Sequence, residues 1–225
     1  MDTLITSDLN YVLCRLPKGL LNLIKNHGLY LAGGFVRECI AHGEIQDIDL
    51  FSKSTNQLNQ AADDLHNSRP DSAVFNTRNA ITVLTPSRVP VQFITRWTFD
   101  KPEDCARSFD FTVCQGVIWF SDYEWRSSIH PRFYTDLAAR RLFYTSPERN
   151  EDAGGSLLRV MKFLKRGYNI QPASLAAVLS RIVKAIDFSK PNLDIESCIQ
   201  GLLLEVDPLR IIDGIELQDE HQSVL

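Results

Sequence analysis

The sequence lacks several features that would place a protein in a class at once. None of its apolar runs approaches the roughly 18 residues of a membrane-spanning helix, so no membrane partner is expected. Its first ten residues contain neither a basic nor an apolar stretch and predict no secretory signal. The five cysteines are odd in number and form no CxxC pair, which argues against a disulfide framework or a structural zinc site. These absences predict a cytoplasmic protein with reduced thiols.

An excess of one sign of charge is also lacking, because the net charge of the 225 residues is only −4. The distribution is more informative than the total. Residues 126–170 contain nine Lys/Arg and four Asp/Glu, giving +5, whereas residues 171–225 contain four and nine, giving −5. A basic segment beside an acidic one indicates an anion-binding surface, although a solvated helix face has the same composition.

The sequence does contain a hydrophobic periodicity that changes partway along the chain. Short strands between amphipathic helices predict an α/β domain over residues 1–125, followed by a helical segment over residues 126–225. The predicted strands are 29–32, 46–51, 74–77, 80–85, 89–95 and 110–120. The predicted helices are 17–27, 35–42, 55–67, 101–108, 172–186, 192–205 and 207–218, with a further helix whose apolar stripe is Leu157, Val160, Met161 and Leu164.

One local pattern carries chemistry. A predicted strand turns into a helix through Gly33 and Gly34, and the next strand contains Asp47-Ile48-Asp49. Glycines at the start of a helix let backbone N–H groups approach an anion at the positive end of the helix dipole, which favours a phosphate group. Two carboxylates two residues apart on a strand share one face and repel each other unless a cation lies between them. Such a pair suits Mg²⁺, whose other positions take water and substrate phosphates.

A resemblance to the polymerase-β-like nucleotidyltransferase superfamily rests on the segments LAGGFVREC and QDIDLF. Within that superfamily, the chain is most similar to the head and neck of bacterial poly(A) polymerases and class II CCA-adding tRNA nucleotidyltransferases. Later family motifs have counterparts, in the family's order, in VQFITR, SFDFTVCQ and SLLRVMKFLKRGY. The resemblance implies an α+β fold, with a nucleotidyltransferase head built on a mixed β-sheet flanked by helices and an all-helical C-terminal segment.

The resemblance also implies a reaction, in which a hydroxyl attacks the α-phosphate of a nucleoside triphosphate and pyrophosphate leaves. The acceptor would be an RNA 3′ end of the tRNA or poly(A) type, with Mg²⁺ or Mn²⁺ as cofactor and ATP as the expected triphosphate. When the family's motifs are matched to this sequence residue by residue, Asp47 and Asp49 correspond to the catalytic metal ligands. The matched nucleotide contacts are Gly33, Gly34, Arg37, Asp110 and Arg159.

RNA contacts are expected on the last basic helix. Arg159, Lys162 and Arg166 follow a helical spacing on the side opposite the predicted apolar stripe. Lys162 and Arg166 are expected to contact RNA phosphates without reading the base sequence, whereas Arg159 matches a family position near the incoming nucleotide.

Departures from the family pattern leave two alternatives open. Gln92 stands where many superfamily members carry a third acidic residue. Near Asp110, a family pair of arginines is replaced by Ser108-Phe109 and a family asparagine by Cys114. The Glu-Asp-x-x-Arg element that selects C and A in CCA-adding enzymes is not evident. The alternatives to RNA modification are therefore nucleotidyl transfer to a protein or small molecule, and a catalytically inactive binding or structural role.

Overall fold

The computed structural model describes residues 1–147, 153–190 and 192–204. The chain forms two units, one from Met1 to Ala138 and one that begins at Ala139. Within the described ranges, no helix is both long and apolar enough to cross a membrane. The helix predicted over residues 207–218 lies outside the described residues.

The first unit is a seven-stranded mixed sheet flanked by helices. Its helices are α1 (Thr6–Arg15), α2 (Lys18–His27), α3 (Gly34–Ala41), α4 (Thr55–Asn67), α5 (Pro102–Arg107) and α6 (Phe133–Ala138). Its strands are β1 (Tyr30–Ala32), β2 (Ile48–Phe51), β3 (Ala73–Asn76), β4 (Ala80–Leu84), β5 (Val91–Ile94), β6 (Gly116–Ser121) and β7 (Glu124–Ile129). The α+β fold expected from the sequence is confirmed for this unit.

The strand order is β3-β4-β5-β2-β1-β6-β7, and only β2 and β5 pair in parallel. One row across four central strands consists of Ile118, Leu31, Leu50 and Phe93, all fully buried. Side chains of the neighbouring row point to the opposite face, because successive residues of a strand alternate. That second row contains Ala32, Asp49 and Gln92.

The ends of two helices follow directly from the sequence. Gly28 adopts the left-handed conformation (φ +58°) and its N–H bonds to carbonyls of the last turn, which ends α2 where the sequence predicts. Ser54 accepts a hydrogen bond from the backbone N–H of Gln57 and so caps α4. These two helices flank the strand-turn-helix pattern over residues 29–42.

The structure differs from the sequence-based expectations in several elements. Helix α1 and strand β7 have no counterpart among the predicted elements. The strand predicted over 110–120 begins only at Gly116, because residues Thr112–Cys114 form a 3₁₀ turn closed by the bond from the Cys114 N–H to the Phe111 carbonyl. Two short strands, β8 (Arg141–Leu142) and β9 (Asn169–Ile170), also pair in the second unit.

In the described part of the second unit, the other regular elements are helices. They are α7 (Gly155–Lys165), α8 (Pro172–Ala185) and α9 (Ile195–Leu204). The buried face of α7 runs through Val160 and Phe163, while Leu164 of the predicted stripe is exposed. Phe163, which lies outside the predicted stripe, packs edge-on against Tyr168, with ring centroids 5.0 Å apart.

Candidate functional site

The turn between β1 and α3 requires glycine at its first position. Gly33 has φ +79° and ψ −141°, a conformation that residues with a side chain rarely adopt. A Cβ atom placed on Gly33 would lie 2.9 Å from Oδ2 of Asp49, which is closer than real Cβ contacts. Gly34 has an ordinary backbone, and a Cβ there would lie 3.9 Å from Oδ1 of Asp47. The turn therefore lies directly against both carboxylates.

Asp47 and Asp49 are positioned by the start of β2. Both side chains are half-buried, whereas Ile48 is buried on the opposite face, as the alternation predicts. In the sheet, Asp49 pairs with Ala32 on one side and with Gln92 on the other. Gln92 therefore occupies the strand position beside Asp49 where a third carboxylate would contribute to the same site.

The electrostatics of the carboxylate pair favour a bound cation. Burial of the Asp49 carboxyl and, secondarily, the nearby Asp47 raise the pKa of Asp49 to about 8, while Arg37 opposes the shift. Among the described residues, no group of three or more His, Cys, Asp or Glu side chains is arranged for metal binding. Two carboxylates that resist joint ionisation fit one divalent ion that completes its coordination with water and phosphate oxygens.

Arg37 lies on the first turns of α3 and is almost fully buried. Its Nε and Nη2 atoms donate to Oε1 of Glu38 at 2.9 and 2.6 Å, and its Nη1 donates to Sγ of Cys114 at 3.3 Å. A Cβ on Gly34 would lie 3.4 Å from Nη2 of Arg37, so the guanidinium group borders the glycine turn. Sequence reasoning missed Glu38, although its position directly after Arg37 was a visible signal.

Asp110 is buried in the segment that leads into the 3₁₀ turn. The flanks of this segment reach the site, because the Phe109 ring would contact a Cβ on Gly33 at 3.7 Å and Cys114 contacts Arg37. The same segment is tied to α6, since the Thr112 hydroxyl donates to the buried Asp136 carboxylate at 2.7 Å. Phe109 and Cys114, two of the three residues in this segment that depart from the family motif, therefore border the site.

The other expected site residues belong to the second unit. Arg159 is half-buried on α7, Lys162 is exposed on the same helix, and Arg166 is exposed just after its end. The first unit thus brings together the glycine turn, Arg37 and the carboxylate pair, and the roles of the three basic residues stay predictions.

The family model of Gabija anti-defense 2 proteins matches residues 5–140, which is more than half of the chain and covers the whole sheet. The chain belongs to the Gabija anti-defense 2 family. It is 27% identical over 172 residues to a protein named Gabija anti-defense 2 from Bacillus phage SPbetaL7, an alignment that covers 76% of this chain. The chain spans only 42% of that curated relative's length.

Solved structures similar to this family member are CCA-adding enzymes. The Thermotoga maritima CCA-adding enzyme complexed with tRNA has a TM-score of 0.57 and 16% identity, over 82% of this chain and 46% of the enzyme. A CCA-adding enzyme in complex with ATP has a TM-score of 0.61 and 15% identity, over 92% of this chain and 52% of the enzyme. The fold is therefore nucleotidyltransferase-like, and the chain spans about half the length of these enzymes.

Proposed function

We propose that this chain is a metal-dependent nucleotidyltransferase. One observation carries the proposal: the Gly33 turn lies against Asp49, so a phosphate cradle and a carboxylate pair meet at one point. In the proposed reaction, the oxygen of an acceptor hydroxyl bonds to the α-phosphorus of a nucleoside triphosphate, ATP being the expected one. The bond between the α-phosphorus and its bridging oxygen breaks, pyrophosphate leaves, and the hydroxyl proton passes to solvent.

Each part of the site has a role in this proposal. Asp47 and Asp49 hold Mg²⁺ or Mn²⁺, which when bound would neutralise phosphate charge. The backbone at Gly33 and Gly34 faces the triphosphate at the N-terminal end of α3. Arg37, held in place by Glu38, adds positive charge beside the same phosphates.

The nucleoside and acceptor contacts complete the proposal. Asp110 contacts the sugar, and Arg159 contacts the incoming nucleotide. The acceptor is an RNA 3′ end, for which the support is the tRNA complex of a similar structure and the exposure of Lys162 and Arg166 on and after α7.

Transfer to a protein is a second candidate, which the family name supports as well as it supports transfer to RNA. A relative described as acting against a defense suits an activity that modifies a defense protein as well as one that modifies RNA. A catalytically inactive binding protein is the remaining alternative. The neutral Gln92 beside Asp49 supports it, because an amide compensates the charge of a metal ion less than a carboxylate does.

The fate of a radiolabel separates these functions. The full chain is incubated with ATP or CTP labelled at the α-phosphate, Mn²⁺ or Mg²⁺, and bulk tRNA, with and without EDTA. Metal-dependent label in RNA is expected. Label in the chain itself or in an added cell extract would assign a protein acceptor instead. Absence of label together with absence of triphosphate binding would overturn the proposal.

A further inference from the structure

A second cluster of charge lies in the first unit, outside the site described above. Arg69 follows α4 in a turn and is only 9% exposed, and Arg88 lies exposed in the turn between β4 and β5. Nη1 of Arg69 donates to the Thr85 hydroxyl at 3.2 Å. Within the part of the chain that the structure describes, neither arginine forms an ion pair with a carboxylate.

A buried arginine without an acidic partner is costly for the fold. Arginine is rarely buried unless it is paired, because its charge loses contact with water. Here burial, followed by the positive charge of Arg88, lowers the pKa of Arg69. The C-terminal end of α4 supplies about half a negative charge, which is less than the two positive charges that meet. An anion between the two guanidinium groups would relieve this imbalance.

The register of the sheet places this cluster at the same edge of the sheet as the candidate active site, on the opposite face. Val83, Val91 and Ile48 form one row across β4, β5 and β2. Thr85 lies just past the end of β4 and Asp47 just before the start of β2, and β4 runs antiparallel to the other two strands. Both residues therefore extend beyond the row at the same edge of the sheet. Thr85 lies two positions after Val83 and Asp47 one position before Ile48, so the alternation of side chains places them on opposite faces. Two strand spacings separate them laterally, which is about 10 Å.

We infer that Arg69, Thr85 and Arg88 form a binding site for a phosphate group of the acceptor nucleic acid. The identity of the acceptor strand rests on the proposed function, whereas the site itself rests on the geometry. A guanidinium fork and a hydroxyl are donors suited to phosphate oxygens. A nucleic-acid strand held at this site would pass around the edge of the sheet to bring its 3′ hydroxyl to the face that carries Asp47 and Asp49.

The test is the binding of a labelled single-stranded oligoribonucleotide to the full chain, measured by fluorescence anisotropy between 50 and 200 mM salt. Triphosphate is omitted and EDTA is present, so that the measurement does not depend on catalysis. Arg88→Ala should weaken binding by about three- to tenfold at low salt and should reduce the salt slope by about 0.7, the value for one lost phosphate contact in a single strand. Arg69→Lys should weaken binding while keeping the charge, because lysine lacks the fork.

Arg78→Ala is the matched control. Arg78 is an equally exposed arginine in the turn between β3 and β4, at the opposite end of β4 from Thr85. It should leave the affinity and the salt slope at the wild-type values. Arg88→Ala should also keep or raise the thermal midpoint, since it removes repulsion from Arg69. Loss of RNA binding without loss of stability is a result that a purely structural role would not produce.

Three results would overturn the inference. One is a salt slope for Arg88→Ala equal to those of wild type and Arg78→Ala. Another is wild-type protein that does not bind the oligonucleotide. The third is inorganic phosphate raising the thermal midpoint of wild type but not of Arg88→Ala while RNA binding is unchanged, which would assign the site to free phosphate.

The label-transfer reaction distinguishes this inference from the proposed function. Label transfer to RNA by wild type, together with an unchanged salt slope of RNA binding for Arg88→Ala, would contradict the phosphate site alone. Weakened RNA binding by Arg88→Ala, with no label transfer by wild type to any acceptor, would support the phosphate site and contradict the proposed function.

Discussion

Two pairs of like charges lie at the same edge of the sheet and differ in sign and in surroundings. Asp47 and Asp49 meet against a glycine turn, with Arg37 near enough to offset part of their repulsion. Arg69 and Arg88 meet between two turns, with a neutral hydroxyl as the partner of the buried member. Neither pair stabilises the fold, since like charges in a half-buried site repel. The difference in sign is the basis for the two proposals, a cation at the carboxylate pair and an anion at the arginine pair.

The largest expected effect comes from breaking the negative pair. Asp49→Asn and Asp47→Asn each remove a proposed metal ligand and should lower nucleotidyl transfer by at least about 100-fold, comparable to the loss of one essential electrostatic contact. The free energy of unfolding should fall by no more than about 1 kcal/mol, or should rise, because repulsion is relieved. Initial rates with labelled triphosphate and a urea titration measure the two quantities. Wild-type rates in either variant would remove Asp47 and Asp49 from catalysis.

The next effect comes from the turn that holds the negative pair in place. Gly33→Ala should destabilise the protein by about 1–3 kcal/mol, because alanine is strained at φ +79° and its Cβ meets the Asp49 carboxylate. Gly34→Ala is the matched control, since its backbone is ordinary and the nearest atom to its Cβ, Nη2 of Arg37, lies at 3.4 Å, a van der Waals contact distance. Denaturant unfolding of both variants tests the difference. Equal stabilities would show that the close approach of Gly33 to Asp49 does not exist in solution.

The third prediction uses pH to compare the pair with and without a cation. The pKa of Asp49 is about 8 in the folded protein against an ordinary 3.8, so folding favours the protonated form. In EDTA, wild-type stability relative to Asp49→Asn should be highest below about pH 4. It should fall as the pH rises towards 8, by about 1–3 kcal/mol.

Urea unfolding of both proteins at several pH values in EDTA measures this difference, and Mn²⁺ should diminish the decline by neutralising the carboxylates. A difference between the two proteins that is constant with pH would contradict the environment assigned to Asp49.

The carboxylate motif shows what a sequence can predict. Its parts lie within about 20 residues of each other, so the strand, the glycine turn and Asp47 to Asp49 follow from local periodicity and spacing. The α+β fold and the nucleotidyltransferase-like architecture are confirmed for the same reason. Several short motifs occur in the family's order along the chain, and the sheet then brings their residues together.

The arginine pair shows what the sequence does not predict. Arg69 and Arg88 are 19 positions apart and have no motif, and they meet only because α4 and the β4–β5 turn end at one edge. The predicted stripe of α7 also omitted the buried Phe163 and included the exposed Leu164, because Phe163 packs against Tyr168 beyond the helix and no periodicity reveals that contact. Burial and partners of charged side chains depend on tertiary contacts, which a local pattern does not contain.

A fourth, smaller effect is expected on the metal affinity of the negative pair. Gln92 lies beside Asp49 in the parallel register of β2 and β5, so Gln92→Glu would add a third carboxylate to the same face. Divalent-metal binding should tighten by about tenfold, since a hard anionic oxygen replaces a neutral amide. Isothermal titration with Mn²⁺ measures the change, and Gln92→Ala controls for loss of the amide. Unchanged affinity in Gln92→Glu would place residue 92 outside the metal site.

The smallest expected effect concerns basic residues that, unlike Arg69, are exposed. Lys162 and Arg166 lie at the surface of the second unit, where each charge is already solvated. We expect Lys162→Ala and Arg166→Ala each to weaken RNA binding by about two- to threefold, with a salt slope lower by about 0.7 per lost phosphate contact. Arg159→Ala should instead affect triphosphate binding more than RNA binding. Slopes identical to that of wild type would remove Lys162 and Arg166 from RNA binding and leave Arg88→Ala as the variant that tests the sheet edge.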